Sequence, residues 1–158
     1  MPVPDDEPAW AMLEALDVWG TPFMEALDDP QAYDRWLNST PRDIALTLAA
    51  SSVTGDIRNG GFEQCMWNSF GTSAPEALIV LQQLGLDRFA VLLAEAIGRF
   101  GPNFPRHREA RQALLDKGEV VLADLDSDDL IPMLEAYDGL EERRLNDFAA
   151  ATLAAHRK

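Results

Sequence analysis

The chain has 158 residues, of which 47% are hydrophobic, and its formal net charge at pH 7 is -14. The length suits one domain with a single core, and the apolar share argues against global disorder. Acidic residues number 27 against 13 basic ones, which disfavours direct contact with nucleic acid or an anionic membrane, because both would repel the chain. One cysteine and two histidines exclude an internal disulfide and leave little for a metal centre, so we predict no metal and no cofactor.

The N-terminal segment carries no basic stretch and no apolar run, and no part of the chain approaches the roughly 18 apolar residues of a membrane span. These features predict a cytoplasmic protein. Helical apolar periodicity, interrupted by prolines and glycines, occurs along the whole chain, and neither a repeat nor a long linker divides it. We therefore predict an all-α fold, with one compact acidic domain over residues 1–158 and about seven or eight helices.

In chain order, the first expected helix covers residues from Pro8 to Trp19, and Gly20 is expected to terminate it. Asp29, Thr40 and Ser73 are predicted helix caps, because each stands one or two residues before a proline that suits the first helical turn. The second expected helix begins at Pro30. The others cover residues 42–57, 62–69, 74–84, 86–100, 106–117 and 140–156.

Apolar spacing supplies the expected core. Leu86, Phe89, Leu93 and Ile97 recur at helical intervals and form the clearest amphipathic stripe. The segment 118–125 stays open at this point, because its three adjacent apolar residues suit a strand but no partner strand is visible elsewhere. The tryptophans at positions 10, 19 and 36 fall at core spacing and are predicted to pack inside.

One segment is denser in polar and aromatic signals than the rest. Adjacent glycines permit a backbone turn that other residues resist, and two amides four residues apart share a helix face. Burying such amides unpaired costs about 1–3 kcal/mol each, so we predict that they bind backbone groups of neighbouring segments and lock the turn. The alternative is a ligand pocket lined by the same side chains. The predicted motif residues are Asn59, Gly60, Gly61, Phe62, Gln64, Trp67 and Asn68.

The same motif carries a resemblance. Its order is Asn-Gly-Gly-Phe-x-Gln over residues 59–64, then Asn68-Ser69-x-Gly71, Glu76-Ala77-Leu78 and Leu84-Gly85. This order resembles the bacterial family of the nineteen-kilodalton DNA mimic protein, otherwise a domain of unknown function. The resemblance covers residues 40–117 well and the C-terminal third loosely. It implies a mostly helical, acidic and often dimeric protein, and we predict that the chain is not an enzyme. Its acidic side chains would imitate DNA phosphates and occupy the basic surface of a DNA-binding partner such as a transcriptional regulator.

The distribution of acidic residues gives that expectation a physical basis. Residues 1–57 and residues 116–142 each carry a net charge of -9. B-DNA carries about one charge per 1.7 Å of axis, so the net charge of the chain matches about 24 Å of duplex. If packing gathers the acids on one face, their density approaches that of DNA; dispersed, they would only favour solubility. The predicted mimic acids are Asp5, Asp6, Glu7, Asp28, Asp29, Asp124, Asp126, Asp128, Asp129, Glu141 and Glu142.

Other chemistries fit less well. Asp124, Asp126 and Asp128 have the spacing of a calcium loop, but Asp129 stands where the sharp turn needs glycine, and an acidic turn before a helix near residues 131–137 is favoured. Cys65 lies among apolar residues and is expected to be inert. A protein-interaction module with an apolar dimer surface is a further alternative. Four arginines, expected to pair with the chain's own carboxylates rather than bind an anion, are Arg99, Arg106, Arg108 and Arg111.

Overall fold

The computed structural model describes residues 8–156. Within this range the chain forms nine α-helices and no strand, so the predicted all-α fold is confirmed, with slightly more helices than expected. A 3-10 turn at Ser69–Ser73 and a π-helical turn at Leu125–Leu130 complete the regular structure. The helices are α1 (Ala9–Ala15), α2 (Gly20–Ala26), α3 (Pro30–Ser39), α4 (Arg42–Trp67), α5 (Ala74–Gln83), α6 (Asp87–Gly98), α7 (Arg108–Asp116), α8 (Ile131–Tyr137) and α9 (Leu140–His156).

The N-terminal region differs most from the expectation. The prediction of one helix over residues 8–19 is wrong, because α1 ends at Ala15 and Gly20 begins a second helix instead of ending the first. A Cβ atom at Gly20 would lie 1.9 Å from the carbonyl oxygen of Glu14. The chain therefore reverses too tightly between α1 and α2 to admit any side chain at this position.

The predicted caps have mixed outcomes. Asp29 caps α3 and accepts the N–H of Gln31 at 3.0 Å. Thr40 does not cap α4, since Pro41 is the residue that precedes the helix and no side chain bonds its first turn from outside. Ser73 instead donates its hydroxyl to the carbonyl oxygen of Phe70 at 2.8 Å. A short polar side chain next to proline thus predicts a helix start more reliably than it predicts a capping hydrogen bond.

Helix α4 is the longest element and packs against α1, α5, α7 and α9. Residues 44–50 are buried on every side of the helix. This first part of α4 therefore has no amphipathic stripe, which is typical of a helix in the core. One hydrophobic cluster joins α1–α3, the start of α4 and α9, and another joins the end of α4 with α5, α6 and residues 120–133. The motif residues therefore lie on the element that connects the two clusters.

Packing elsewhere follows the apolar pattern. The predicted stripe on α6 is confirmed, since Phe89 and Leu93 are fully buried. Trp36 is also buried, and Trp10 and Trp19 pack half-buried against the same N-terminal cluster. The open segment before α8 forms no strand; Val120 and Leu122 enter the core from an irregular stretch. None of the described helices combines the length and apolar character that a membrane crossing requires.

Candidate functional site

The glycine turn of the motif is a break within α4. Gly61 has φ 94° and ψ 177°, a region of backbone space that is essentially restricted to glycine. The break frees two backbone N–H groups at the start of the second helical segment, and Asp126 accepts both. The N–H of Phe62 donates to Oδ1 at 2.6 Å and that of Glu63 to Oδ2 at 3.2 Å. A Cβ atom on Gly61 would lie 2.6 Å from this carboxylate, so glycine and aspartate fit one another sterically.

The two amides of the motif share one acceptor. Gln64 donates its Nε2 to Asp56 Oδ1 at 3.0 Å, and Asn68 donates its Nδ2 to Asp56 Oδ2 at 3.2 Å. Asp56 lies before the break and both amides lie after it, so these bonds connect the two segments of α4. The expected lock on the turn is therefore present, but its acceptor is a side chain and not the backbone.

The C-terminal end of α4 is held by a buried arginine. Arg111 is completely inaccessible to solvent, and its guanidinium donates to the carbonyl oxygens of Met66 at 2.9 Å and Asn68 at 3.0 Å. It donates further to the carbonyl oxygen of Arg106 at 2.7 Å and to the hydroxyl of Thr72 at 3.2 Å. Desolvation by burial lowers the pKa of Arg111 to about 10. The side chain still carries its charge at neutral pH and satisfies carbonyl groups that the helix end leaves free.

A second buried network ties α3 to α5. The hydroxyl of Tyr33 donates to Glu76 Oε1 at 2.6 Å, and Arg106 forms a two-pronged ion pair with the same carboxylate, with Nη2 at 3.0 Å from Oε2. The guanidinium also lies 5.4 Å from the centre of the Tyr33 ring. Burial, followed by the charge of Glu76, raises the pKa of Tyr33 well above its usual value. The network pairs a charge that would otherwise be costly to bury.

The four arginines of the basic stretch bind groups of the protein itself, and the expectation of carboxylate pairing holds for half of them. Arg99 binds both oxygens of Asp124, at 2.6 and 3.0 Å, and Arg106 pairs with Glu76. Arg108 donates instead to the carbonyl oxygen of Trp67 and to a hydroxyl, and Arg111 binds carbonyl groups. These four side chains therefore serve the fold and do not form an open anion site.

The predicted mimic acids fall into two groups. Three of them have partners or are buried: Asp124 pairs with Arg99 at the surface, Asp126 accepts backbone N–H groups, and Glu141 has only 4% of its surface exposed. Asp124 is itself solvent-exposed, and hydrogen bonding to Arg99 lowers its pKa. The prediction that all these acids form one array is therefore corrected. A carboxylate that is paired or buried attracts a partner less strongly than one that is free in solvent.

The other acids face solvent or lie near it. Asp28 accepts the hydroxyl of Ser69 at 2.6 Å, and Asp128 and Glu142 are exposed, as is the capping residue of α3. Asp129 is half-buried. The acids predicted at positions 5–7 lie outside the described residues. Over residues 8–156 as a whole, seventeen acidic residues are exposed against six basic ones. The described surface is therefore strongly negative, whatever the role of each single carboxylate.

The alternative chemistries lose their support. Asp124 and Asp126 are committed to Arg99 and to α4, and their segment forms a π-helical turn instead of a calcium-binding loop. Among residues 8–156, no group of three or more potential ligands could hold a metal ion. Cys65 is fully buried, and burial raises its thiol pKa far above the usual range, which disfavours the nucleophilic thiolate.

A cleft of about 350 Å³ lies beside the motif, between α1, α4 and α9. Asp56 contributes to its wall, whereas Gln64, Trp67 and Asn68 do not. The expected ligand pocket lined by the two amides is therefore absent at this cleft. What lines it instead is a mixture of carboxylates, hydroxyls and aromatic rings: Trp10, Glu14, Ser51, Ser52, Thr54, Gly55, Asp56, Arg58, Asn59, Phe70, Glu142 and Leu145.

Sequence reasoning missed Asp56 altogether, and it did not predict the contacts of Arg111 and Glu76. Asp56 could have been found as an acid two turns before the amides, once the glycine break is placed between them. Arg111 lies 45 residues from its partner Met66 and carries no local signal of burial. Glu76 was noted only as part of the family motif, and its pairing with Arg106 required the folded chain.

Comparisons with known proteins agree with the motif. No curated protein and no solved structure matches the chain. A protein-family model described as DMP19-like protein matches residues 38–156, which includes the C-terminal third where the resemblance is looser. Since the match extends over most of the sequence, the chain belongs to the DMP19-like protein family.

Proposed function

We propose that this protein is a non-enzymatic acidic binding protein that occupies the basic, DNA-binding surface of a partner such as a transcriptional regulator. The observation that carries the proposal is the excess of exposed acids over exposed bases in residues 8–156. Membership of the DMP19-like family supports it, because the resemblance to the DNA mimic family implies this role. A negative surface of this kind would attract a basic partner over long range and repel DNA itself.

Several arginines are engaged by groups of the protein itself. Arg106 and Arg111 are matched inside the fold, and Arg99 is held by two carboxylates. The chain has only 13 basic residues in all, so each arginine turned inward leaves fewer to offset the acids outside. Among the described residues burial removes one basic side chain, Arg111, and two acidic ones, Glu76 and Glu141, from the surface, so the negative surface follows from the acidic composition of the chain.

The acids proposed to meet the partner are those that the fold does not bury or hold in an ion pair at close range. They include Asp28 and Asp29 between α2 and α3, and Asp128 and Asp129 before α8. Glu142 at the start of α9 is exposed, although Arg58 lies 3.5 Å from it. A homodimer would double the charge available to a partner and extend its reach. Because the proposed partner is a DNA-binding protein, we also propose that the protein acts in the cytoplasm.

The first test measures competition with DNA. The protein would be immobilised at about 50 mM salt, exposed to a lysate of its native cell, and eluted by raising salt to about 200 mM, the range over which phosphate-like contacts weaken steeply. Each eluted DNA-binding protein would then be titrated against its labelled operator in the presence of the acidic protein. We expect displacement of DNA that declines with salt. Displacement that is insensitive to salt, or failure to displace any eluted protein from its operator, would contradict the proposal.

The second test separates specific acids from overall charge. Asp128→Lys with Asp129→Lys reverses two proposed contact residues, whereas Asp34→Lys with Asp87→Lys makes the same change in net charge at exposed sites outside the proposed set. We expect the first pair to weaken displacement of DNA at least tenfold, which corresponds to about 1.4 kcal/mol, and the control pair to weaken it less. Equal effects of the two pairs would show that only net charge matters.

A further inference from the structure

The cleft beside α4 has the composition of a site for an organic cation. Its walls combine the rings of Trp10 and Phe70 with the carboxylates of Glu14, Asp56 and Glu142. A cavity of about 350 Å³ is large enough for a small ligand or one long side chain. Aromatic faces attract cations, and carboxylates supply acceptors for their N–H groups.

The charges in the cleft are only partly matched. Arg58 lies on one wall, with its Nη2 3.5 Å from Glu142 Oε2 and its Nε 3.9 Å from Glu141 Oε1. No ion pair to Glu14 or Asp56 is present within residues 8–156. Glu14 accepts the hydroxyl of Ser52 at 3.3 Å, and burial raises its pKa. Asp56 accepts the amides of Gln64 and Asn68. The wall therefore already accommodates one guanidinium and retains two carboxylates that have no ion pair with any described residue.

One residue of the cleft wall, Gly55, has no side chain. Gly55 lies inside α4 and lines the cleft, although glycine weakens a helix interior relative to alanine. Its φ is not positive, and a Cβ atom there would meet nothing within 4 Å. Neither the backbone nor the packing of the described residues requires glycine. Its effect is to let a group in the cleft approach the helix backbone closely.

We propose that this cleft binds a guanidinium group carried on an alkyl chain, with Glu14 and Asp56 accepting its N–H groups and Trp10 or Phe70 packing against it. The planar fork of a guanidinium matches carboxylates in a way that an ammonium does not. The group could belong to an arginine side chain of a protein or to a free alkylguanidine. The inference is independent of the proposed function, since it concerns a site that can be tested without a protein partner.

The experiment titrates the full-length protein with three probes and follows the indole N–H signal of Trp10 by NMR. N-acetyl-arginine N-methylamide should bind saturably and at least about tenfold more tightly than the citrulline analogue, which has a similar shape but no charge. Equal binding of the two, or no saturable binding, would overturn the proposal. The third probe, n-butylguanidine, separates the sources: tighter binding of the arginine derivative indicates a protein side chain, and equal binding indicates a free alkylguanidine.

Matched variants locate the site. Gly55→Leu should place a side chain in the cleft and abolish arginine binding. Gly98→Leu should retain it, because Gly98 is also a helical glycine with nothing within 4 Å of its Cβ position but does not line the cleft. Loss in both variants, or in neither, would overturn the assignment. Glu14→Gln keeps the shape and removes one charge, so it should weaken binding even if Gly55→Leu does not fold; unchanged affinity in Glu14→Gln would contradict the proposed contact.

Discussion

Around the break in α4, charged groups point inward and meet partners, whereas at the α2–α3 turn and before α8 acids lie at or near the surface. In the first region Asp126 accepts N–H groups that the break leaves free, and Arg111 donates to carbonyl groups at the end of the same helix. Asp28 and Asp128 in the second region are exposed. The difference follows from desolvation, because a charge buried without partners is costly and one in water is not. It teaches that the same residue types serve the fold in one region and remain available to a partner in the other.

The largest expected effect comes from removing the buried arginine. Arg111→Met should lower the free energy of unfolding by about 3–5 kcal/mol, since it leaves several buried carbonyl oxygens without donors. Urea unfolding followed by circular dichroism measures the loss. The control is Arg88→Met, at an exposed arginine of α6, which should change stability by less than about 0.5 kcal/mol. Similar losses in the two variants would show that the inward contacts of Arg111 contribute little.

The break itself should be nearly as sensitive. Gly61→Ala should cost about 2–3 kcal/mol, because alanine is strained at φ 94° and its Cβ would meet the Asp126 carboxylate. Thermal and urea unfolding should both detect the change. Gly98→Ala is the matched control, since a Cβ atom there meets nothing within 4 Å. An unaffected Gly61→Ala variant would mean that α4 can straighten without loss.

The two classes of aspartate can be compared directly. Asp126→Ala should destabilise the protein by about 1–2 kcal/mol, the usual cost of losing a helix-capping carboxylate, whereas Asp128→Ala should change stability by less than about 0.5 kcal/mol. Binding to a basic partner should show the reverse order, with Asp128→Ala the more harmful once the folded fraction is taken into account. Equal unfolding free energies of the two variants would remove the distinction between structural and surface acids.

The smallest expected effect has the opposite sign. Gly55→Ala should raise the free energy of unfolding by about 0.5–1 kcal/mol, because alanine favours a helix interior over glycine and its methyl group meets no atom within 4 Å. The gain would show that glycine at this position is retained at a cost to the fold. A destabilised Gly55→Ala variant would mean that a packing requirement, and not the open cleft, keeps residue 55 small.

Local features of the candidate site were accessible from sequence, and its long-range contacts were not. The paired glycines predicted a turn near residue 60, and the amides at positions 64 and 68 predicted a shared face; both features are present. The carboxylate that caps the second segment comes from residue 126, 64 positions away from Phe62. Nothing in its acidic neighbourhood distinguishes it from Asp128, because sequence gives the number of charges but not their partners.

The amino-acid sequence by itself determined the helical class, the excess of negative charge and the place where α4 breaks, since these depend on composition, periodicity and the freedom of glycine. Only the tertiary structure decided which charges remain outside. That choice depends on contacts between distant segments, such as Arg111 with the end of α4 and Arg106 with Glu76. Packing alone brings these groups within hydrogen-bonding distance, and desolvation then makes it favourable for them to pair.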